Sequence, residues 1–165
     1  MTYVLLILLA ALIAAPVLAE RFRPRMGPKA RKKAPGSFAT LSRGVVHYDW
    51  LGPVRGPVCV CIHGLTTSSY VWGGLARGLA AMGFRVLIFD HYGRGYSDRP
   101  KGAHGDAFYL AEVEELLAHE GVDQDITLIG YSMGGAIATL YAAAHPDQIR
   151  QLILLAPAGM TQVRT

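Results

Sequence analysis

The sequence predicts an α/β fold in which a mostly parallel sheet of about six strands follows an N-terminal membrane helix. Two observations carry this prediction. Short apolar runs alternate with longer segments whose apolar residues recur at helical spacing, which is typical of buried parallel strands and their crossover helices. The first segment, residues 2–19, contains no charged side chain and is dominated by Leu, Ile, Val and Ala.

This uncharged segment is long enough to cross a bilayer. As a helix, its 18 residues would extend about 27 Å, close to the hydrocarbon thickness of a membrane. Residues 1–19 are therefore predicted to be a transmembrane anchor or a signal segment. Val17 and Ala19 are acceptable before a cleavage point, yet no basic residue precedes the apolar stretch, as a signal peptide would require.

Residues 20–36 form a basic linker rich in proline and glycine. Seven basic residues against the single acid Glu20 give this stretch a charge of +6, so the remainder of the +4 chain carries −2. Basic residues beside a span tend to stay cytoplasmic, which favours an uncleaved anchor with the domain in the cytoplasm. Secretion or export to the periplasm after cleavage is the alternative. The composition of residues 24–36 predicts an extended tether that can contact anionic lipid headgroups.

The third unit, residues 37–165, contains the predicted sheet. Apolar runs place its six strands near 38–42, 45–50, 58–62, 85–89, 126–130 and 150–155. Helical spacing predicts helices over 71–82, over 106–119 and directly after residue 132. The last strand would be left as an uncovered apolar edge.

The segment around Ser132 carries the clearest chemical signal. The apolar run from Ile126 leads through Gly130-Tyr131-Ser132-Met133-Gly134 into a helical pattern. A G-x-S-x-G turn between a strand and a helix holds a serine out of the backbone as a nucleophile. The serine also lies at a helix N-terminus, where unpaired N–H groups favour negative charge, so the Met133 N–H is a candidate oxyanion donor.

A second apolar run ends in His63-Gly64-Leu65. A backbone N–H after such a strand can be the second oxyanion donor, and Leu65 is our candidate because the preceding glycine lets the chain approach the site. For His63 we favour a histidine at the strand end that hydrogen-bonds to backbone over one that transfers a proton directly.

A third apolar run ends at Asp90 and is followed by a loop with Gly93 and Gly95. The spacing differs from a dinucleotide-binding turn, because Asp98 stands where a third glycine is needed and Pro100 follows. Nucleotide binding is therefore not expected here. Nucleic-acid binding is not expected either, since the net positive charge belongs to the linker and no basic patch with interleaved aromatic residues follows it.

Together the three segments resemble the N-terminal half of an α/β-hydrolase, most closely the branch of monoacylglycerol lipases, small esterases and carbon–carbon bond hydrolases. The resemblance spans about residues 37 to 160 and rests on three motifs in this order: His63-Gly64-Leu65, Asp90-x-x-Gly93-x-Gly95-x-Ser97 and Gly130-Tyr131-Ser132-Met133-Gly134-Gly135. It implies that Ser132 is the nucleophile and that Leu65 and Met133 donate to the oxyanion. Relatives with an aspartate nucleophile, such as haloalkane dehalogenases and epoxide hydrolases, are disfavoured because position 132 is serine.

The acid and the histidine of a triad are not found after the nucleophile. In this fold they follow the serine in the order acid, then histidine. After Ser132 the only acid is Asp147 and the only histidine is His145. Their order is reversed, and at 1.5 Å per helical residue they lie roughly 20 Å away. His145-Pro146-Asp147 is better explained as a helix end. The sheet is therefore expected to be incomplete. The chain is then either a fragment of a longer hydrolase or a degenerate product, and a smaller self-sufficient fold is the least favoured of the three explanations.

The glutamates of the 106–119 helix and the two cysteines are expected to have structural roles. Glu112, Glu114 and Glu115 are expected on the solvated face of the 106–119 helix. Cys59 and Cys61 alternate on one strand, point to one sheet face and are expected to be buried thiols, not a disulfide. The chain shows no spacing typical of a metal site, and no metal or cofactor is expected.

These observations predict a membrane-tethered serine hydrolase acting on carboxylic esters, with a lipid or a monoacylglycerol as the candidate substrate. Carbon–carbon bond and peracid chemistry remain open. The rival hypothesis is a catalytically inactive, membrane-associated hydrolase-like fragment or pseudoenzyme.

Overall fold

A computed structural model of the chain describes residues 2–22 and 26–159. Its six strands are β1 (Ser37–Leu41), β2 (Gly44–Leu51), β3 (Val58–Ile62), β4 (Arg85–Phe89), β5 (Ile126–Tyr131) and β6 (Ile149–Leu155). Its α-helices are α1 (Thr2–Arg21), α2 (Pro28–Arg31), α3 (Gly73–Ala81), α4 (Asp106–His119) and α5 (Met133–Ala144). The predicted strands are confirmed to within one or two residues at each end.

The strands form one sheet in the order β1-β2-β4-β3-β5-β6. The hairpin β1–β2 and the β2–β4 pair are antiparallel, whereas β3, β4, β5 and β6 run parallel to one another. The predicted α/β architecture with a mostly parallel sheet is therefore confirmed.

Alternate residues of the central strands point to opposite helical layers. Val60 and Ile62 of β3 face the larger apolar cluster, which includes buried residues of α4 and α5. Cys59 and Cys61 face the smaller cluster with Trp72 and α3. Both cysteines are buried free thiols, as predicted. The helix expected over 71–82 begins as a 3₁₀ turn at Ser69–Trp72 and becomes α-helical at Gly73.

The register of the parallel strands determines where the three motifs meet. Cys61 of β3 is opposite Ile88 of β4, and Ile62 is opposite Gly130 of β5. The carboxyl ends of these three strands therefore share one edge of the sheet, which is where open α/β sheets place their sites. His63, Asp90 and Ser132 each follow one of these ends.

Strand β6 is an edge of the sheet and, among the described strands, pairs only with β5. Its apolar residues are half-buried, and Leu155 is 39% exposed. The uncovered apolar edge expected for the last strand is confirmed, and the sheet is incomplete on this side.

Helix α1 continues two residues past the predicted anchor. It has a mean hydropathy of 2.5 over 18 residues, none of which is buried against the domain, so it is a candidate membrane helix. A signal sequence would have the same properties.

The linker is partly docked, so the expected extended tether is wrong for its C-terminal part. Arg31 of α2 donates to Asp98 Oδ1 at 2.6 Å and to the Tyr96 carbonyl at 3.0 Å. The Pro35 carbonyl oxygen lies 2.6 Å from His47 Nε2. Arg23 and Arg25, two of the basic residues counted in this segment, lie outside the described residues, as do positions 160–165 of the predicted domain.

Candidate active site

Ser132 occupies the sharp corner between β5 and α5. Its backbone has φ 54° and ψ −120°, a region that residues with a side chain rarely adopt. Such a conformation costs on the order of 1–3 kcal/mol and persists only where its surroundings enforce it. Here the Ser132 N–H donates to the Leu155 carbonyl at 3.0 Å, and the Ser132 carbonyl accepts the N–H groups of Gly135 and Ala158, each at 2.9 Å.

Two glycines make this corner sterically possible. A Cβ added to Gly134 would lie 2.0 Å from the Ile62 carbonyl oxygen, and one added to Gly130 would lie 2.5 Å from the Gly134 carbonyl oxygen. Both neighbours are backbone atoms, which cannot move aside as a flexible side chain can. The turn therefore has the strand, helix and close backbone approach of a nucleophile elbow.

The His63-Gly64-Leu65 loop lies directly against the serine. A Cβ on Gly64 would be 3.1 Å from Ser132 Cβ. Leu65, the next residue, is 49% exposed, and its carbonyl accepts a hydrogen bond from Arg94 Nε. Met133 is the first residue of α5, and N–H groups in the first helical turn have no partner within the helix. The two predicted oxyanion donors therefore belong to segments adjacent to Ser132; their roles remain predictions.

His63 is fully buried and bonded to backbone on both ring nitrogens. Its Nδ1 lies 2.7 Å from the Gly64 carbonyl oxygen, and its Nε2 accepts the His91 N–H at 2.9 Å. Burial disfavours the charged imidazolium and, with His91, lowers the pKa of His63 to about 3, although Gly64 and Asp90 oppose this change. His63 is therefore a strand-end histidine that hydrogen-bonds to backbone, as expected from the sequence.

Asp90 organises the loop after β4. Oδ1 accepts the Ser69 N–H at 2.7 Å, while Oδ2 accepts the Tyr96 N–H at 2.9 Å and lies 2.8 Å from His47 Nδ1. Burial alone would raise the pKa of Asp90, but these hydrogen bonds outweigh it and hold the pKa far below its usual range. For His47, burial lowers the pKa, but the hydrogen bonds to Asp90 and Pro35 dominate and raise it. The Asp90 carboxylate therefore connects the segments that contain His47, Ser69 and Tyr96.

Glu112 corrects one expectation from the sequence. It is not on a solvated face: it is 2% exposed, and its Oε2 lies 2.5 Å from His91 Nδ1 while Oε1 accepts the Tyr92 N–H at 2.5 Å. Glu114 and Glu115 are partly exposed and bond to His145 and Ser42 respectively. A signal for Glu112 existed, since it is three residues after Tyr109 and four before Leu116, both buried in the core.

The histidines of the chain all have partners other than Ser132. His47, His63 and His91 bond as described above. The other three are more exposed. A ring nitrogen of His104 lies 3.2 Å from the Pro100 carbonyl oxygen. His119 lies 2.8 Å from a Glu120 carboxylate oxygen, and His145 lies 2.7 Å from one of Glu114. Within the described ranges, no histidine hydrogen-bonds to the Ser132 hydroxyl. The same part of the chain contains no group of three or more residues able to hold a metal ion.

Comparisons with known proteins agree with this fold. A family model described as "alpha/beta hydrolase fold" matches residues 57–163. The chain is 32% identical over 111 residues to a cis-3-alkyl-4-alkyloxetan-2-one decarboxylase of Xanthomonas campestris, covering 62% of this chain and 37% of that protein. It is 37% identical over 111 residues to a haloalkane dehalogenase of Mycobacterium marinum, covering 66% and 37%.

Among solved structures, an esterase from Exiguobacterium antarcticum superimposes with a TM-score of 0.70 at 25% identity, covering 75% of this chain and 46% of that one. The chain thus spans less than half the length of these proteins. Their names describe three different reactions, so similarity alone does not select one of them.

Proposed function

Because the chain belongs to the α/β-hydrolase family, we propose that it provides the nucleophile and oxyanion hole of a serine hydrolase acting on carboxylic esters. The observation that carries the proposal is the backbone of Ser132, φ 54° and ψ −120°, held by hydrogen bonds from both sides. A strained, non-glycine corner between a strand and a helix is the geometry that exposes a nucleophilic hydroxyl.

In the proposed reaction, Ser132 Oγ attacks the ester carbonyl carbon while a base takes its proton. The carbonyl electron pair moves onto the oxygen, which the N–H groups of Leu65 and Met133 stabilise. The tetrahedral intermediate then expels the alcohol, which takes up the proton, and leaves an acyl-serine. Water attacks the acyl carbon and releases the acid, returning the proton to Ser132.

The base is the part of this mechanism that the described residues do not supply. None of the six histidines hydrogen-bonds to Ser132, and the acyl-transfer reaction needs a proton acceptor within hydrogen-bond distance of the serine. We therefore propose that the triad acid and histidine come from residues beyond these 165, in keeping with the partial coverage of longer relatives.

The proposed substrate class is a lipid ester such as a monoacylglycerol. Leu65, Tyr70 and Val71, on the segment that follows β3, are 49%, 74% and 38% exposed. We propose that these exposed apolar side chains, on the segment that begins with Gly64 against Ser132, receive an acyl chain and that α1 holds the domain near a membrane. We place the domain on the cytoplasmic face of an uncleaved anchor, with export after signal cleavage as the alternative.

The lack of a histidine bonded to Ser132 among the described residues also favours a second candidate, a membrane-associated protein with a hydrolase fold and no activity. Loss of triad members leaves a residual rate of about 10³ to 10⁴ over water from the oxyanion hole and binding alone. We therefore expect this chain by itself to be a very poor esterase. Rapid turnover of a nitrophenyl ester, abolished in Ser132→Ala, would overturn that expectation.

The two candidates are separated by labelling the detergent-solubilised chain with a fluorophosphonate, with and without added imidazole. A hydrolase lacking only its triad acid and histidine should label slowly at Ser132 and faster when imidazole supplies the missing proton acceptor. Ser132→Ala should abolish the labelling. Ser68→Ala should not, since it changes a serine three residues after Leu65 whose side chain caps no helix. Absence of labelling at Ser132 even with imidazole would support the inactive protein.

A further inference from the structure

A buried chain of hydrogen bonds connects α4 with the loop beside Ser132. Glu112 bonds through Oε1 to the Tyr92 N–H and through Oε2 to His91 Nδ1, both at 2.5 Å. The His91 N–H donates to His63 Nε2 at 2.9 Å, and His63 Nδ1 lies 2.7 Å from the Gly64 carbonyl oxygen. His63, His91 and Glu112 are at most 2% exposed.

The direction of each bond assigns the tautomer of His63. A backbone N–H can only donate, so His63 Nε2 must accept from His91 and carry no proton. The proton of the neutral ring is then on Nδ1, which donates to the Gly64 carbonyl. A doubly protonated ring would place a second N–H against the His91 N–H, so this network requires the neutral form.

The Gly64 carbonyl and the Leu65 N–H belong to one planar peptide unit and point in opposite directions. Holding the oxygen therefore fixes the orientation of the N–H. The next carbonyl, that of Leu65, is held by Arg94 Nε. Both peptide units that flank Leu65 are thus fixed, at the point where Gly64 lies against Ser132.

We propose that His63 is a positioning residue: its Nδ1–H holds the Gly64 carbonyl and so aims the Leu65 N–H at the oxyanion, with His91 and Glu112 holding His63 in place. The effect of this positioning on catalysis rests on the proposed function, because it requires that the Leu65 N–H stabilises an oxyanion. The bond also withdraws electron density from the peptide unit, which makes the Leu65 N–H a stronger donor.

The first test reads the tautomer and does not depend on activity. In the full chain labelled with ¹⁵N-histidine, in detergent micelles, we expect His63 to show a protonated Nδ1 and an unprotonated Nε2 from pH 5 to 8. A His63→Asn spectrum assigns the signal. A protonated Nε2, or titration of His63 within that range, would overturn the proposal even if Ser132 proved to be an active nucleophile.

The second test uses two substitutions at one position. Asn can place its side-chain N–H near the position of Nδ1 and still donate to Gly64, whereas Leu cannot. Removing an oxyanion donor costs on the order of 10²–10³ in rate, so misaiming Leu65 should slow imidazole-assisted fluorophosphonate labelling at Ser132 by about 10-fold or more in His63→Leu. His63→Asn should recover most of that loss.

The Leu65 amide distinguishes positioning from general damage to the fold. Its chemical shift should change in His63→Leu and return toward wild type in His63→Asn. If Asn and Leu slow the labelling equally while both variants melt cooperatively, the positioning role is wrong. If the wild-type chain does not label at all, the proposed function fails, and the tautomer and the Leu65 amide still decide whether His63 holds this loop.

Discussion

Gly134, in the first turn of α5, lies so close to the end of β3 that a Cβ on it would stand 2.0 Å from the Ile62 carbonyl oxygen. This contact joins the serine corner to the strand that carries His63-Gly64-Leu65. Two motifs about seventy residues apart in the sequence are thereby brought into backbone contact. The absence of a side chain at position 134 is what permits it.

Gly134→Ala should therefore be destabilising. The new methyl group meets backbone, so β3 or the elbow must shift, and overpacking of this kind costs about 1–3 kcal/mol or more. Gly78→Ala in α3 is the matched control, because nothing lies within 4 Å of its Cβ and alanine is favoured over glycine in a helix by roughly 0.5–1 kcal/mol. Denaturant unfolding of both variants measures this difference. Equal midpoints would show that the contact is looser than the structure indicates.

Glu112→Gln should destabilise the domain although it changes only one atom. The amide can still accept the Tyr92 N–H, but its NH₂ group cannot accept a hydrogen bond from His91 Nδ1. The His91 proton must then move to Nε2, which is buried without a hydrogen-bond partner, and leaving a buried donor unsatisfied costs about 1–3 kcal/mol. Glu115→Gln provides the control on the same helix, since Glu115 makes its hydrogen bonds to Ser42 at the surface. Thermal melts should rank Glu112→Gln clearly below Glu115→Gln. The reverse order would contradict a buried role for Glu112.

The elements that the sequence predicted are those whose cause is local. The strand and helix around Ser132 follow from apolar periodicity and from glycines at fixed positions, and the backbone-bonded His63 follows from its place at a strand end. The uncovered edge of β6 follows from counting strands. Apart from the strand count, each of these depends on residues within about ten positions along the chain.

The contacts that the sequence did not predict depend on partners distant in the chain. Glu112 meets His91 across 21 positions and Arg31 meets Asp98 across 67. A charged residue on a helix is usually solvated, so the sequence favours a surface position for Glu112 even though its spacing matches the buried face. Only the fold brings such partners together, and a single sequence contains no record of the pairing.

The stability of the domain should fall at acidic pH in part because of His63. The unfolded histidine takes up a proton near pH 6.5. In the folded protein, burial and the nearby His91 lower the pKa of His63 to about 3, and Arg94 adds a smaller decrease. Gly64 and Asp90 act in the opposite direction but do not offset this decrease. Between these values the unfolded state binds more protons. The stabilisation is therefore complete above pH 6.5 and is lost as the pH falls toward 3.

His63→Asn removes this proton uptake and isolates it from other groups. The free energy of unfolding of the wild type should fall more steeply between pH 6 and 4 than that of the variant, by at most about 1.4 kcal/mol per pH unit for one proton. The low pKa of Asp90 adds acid sensitivity and the raised pKa of His47 acts in the opposite direction, but both groups are present in each protein. Parallel pH profiles would mean that His63 titrates normally when folded.

Arg31→Ala should release the linker without unfolding the domain. The guanidinium bonds to Asp98 and Tyr96 and lies over the Phe38 ring at 5.4 Å. Without it, trypsin should cut faster after the exposed Lys32 and Lys33, as followed by mass spectrometry. Lys29→Ala, which changes an exposed residue of the same short helix, should leave those rates unchanged. Unaltered cleavage in Arg31→Ala would show that Pro35 and His47 suffice to dock the linker.

The side of the membrane on which the domain lies can be read from a single introduced cysteine. Cys59 and Cys61 are fully buried, so the folded protein should react little with a maleimide. In Lys29→Cys, the new thiol lies on α2, which follows α1 in the sequence and is exposed at this position. With the domain in the cytoplasm, an impermeant maleimide applied to intact cells should leave this thiol unmodified until the membrane is opened. Modification in intact cells would place the linker outside, and recovery of a chain shortened by about 19 residues would identify α1 as a cleaved signal.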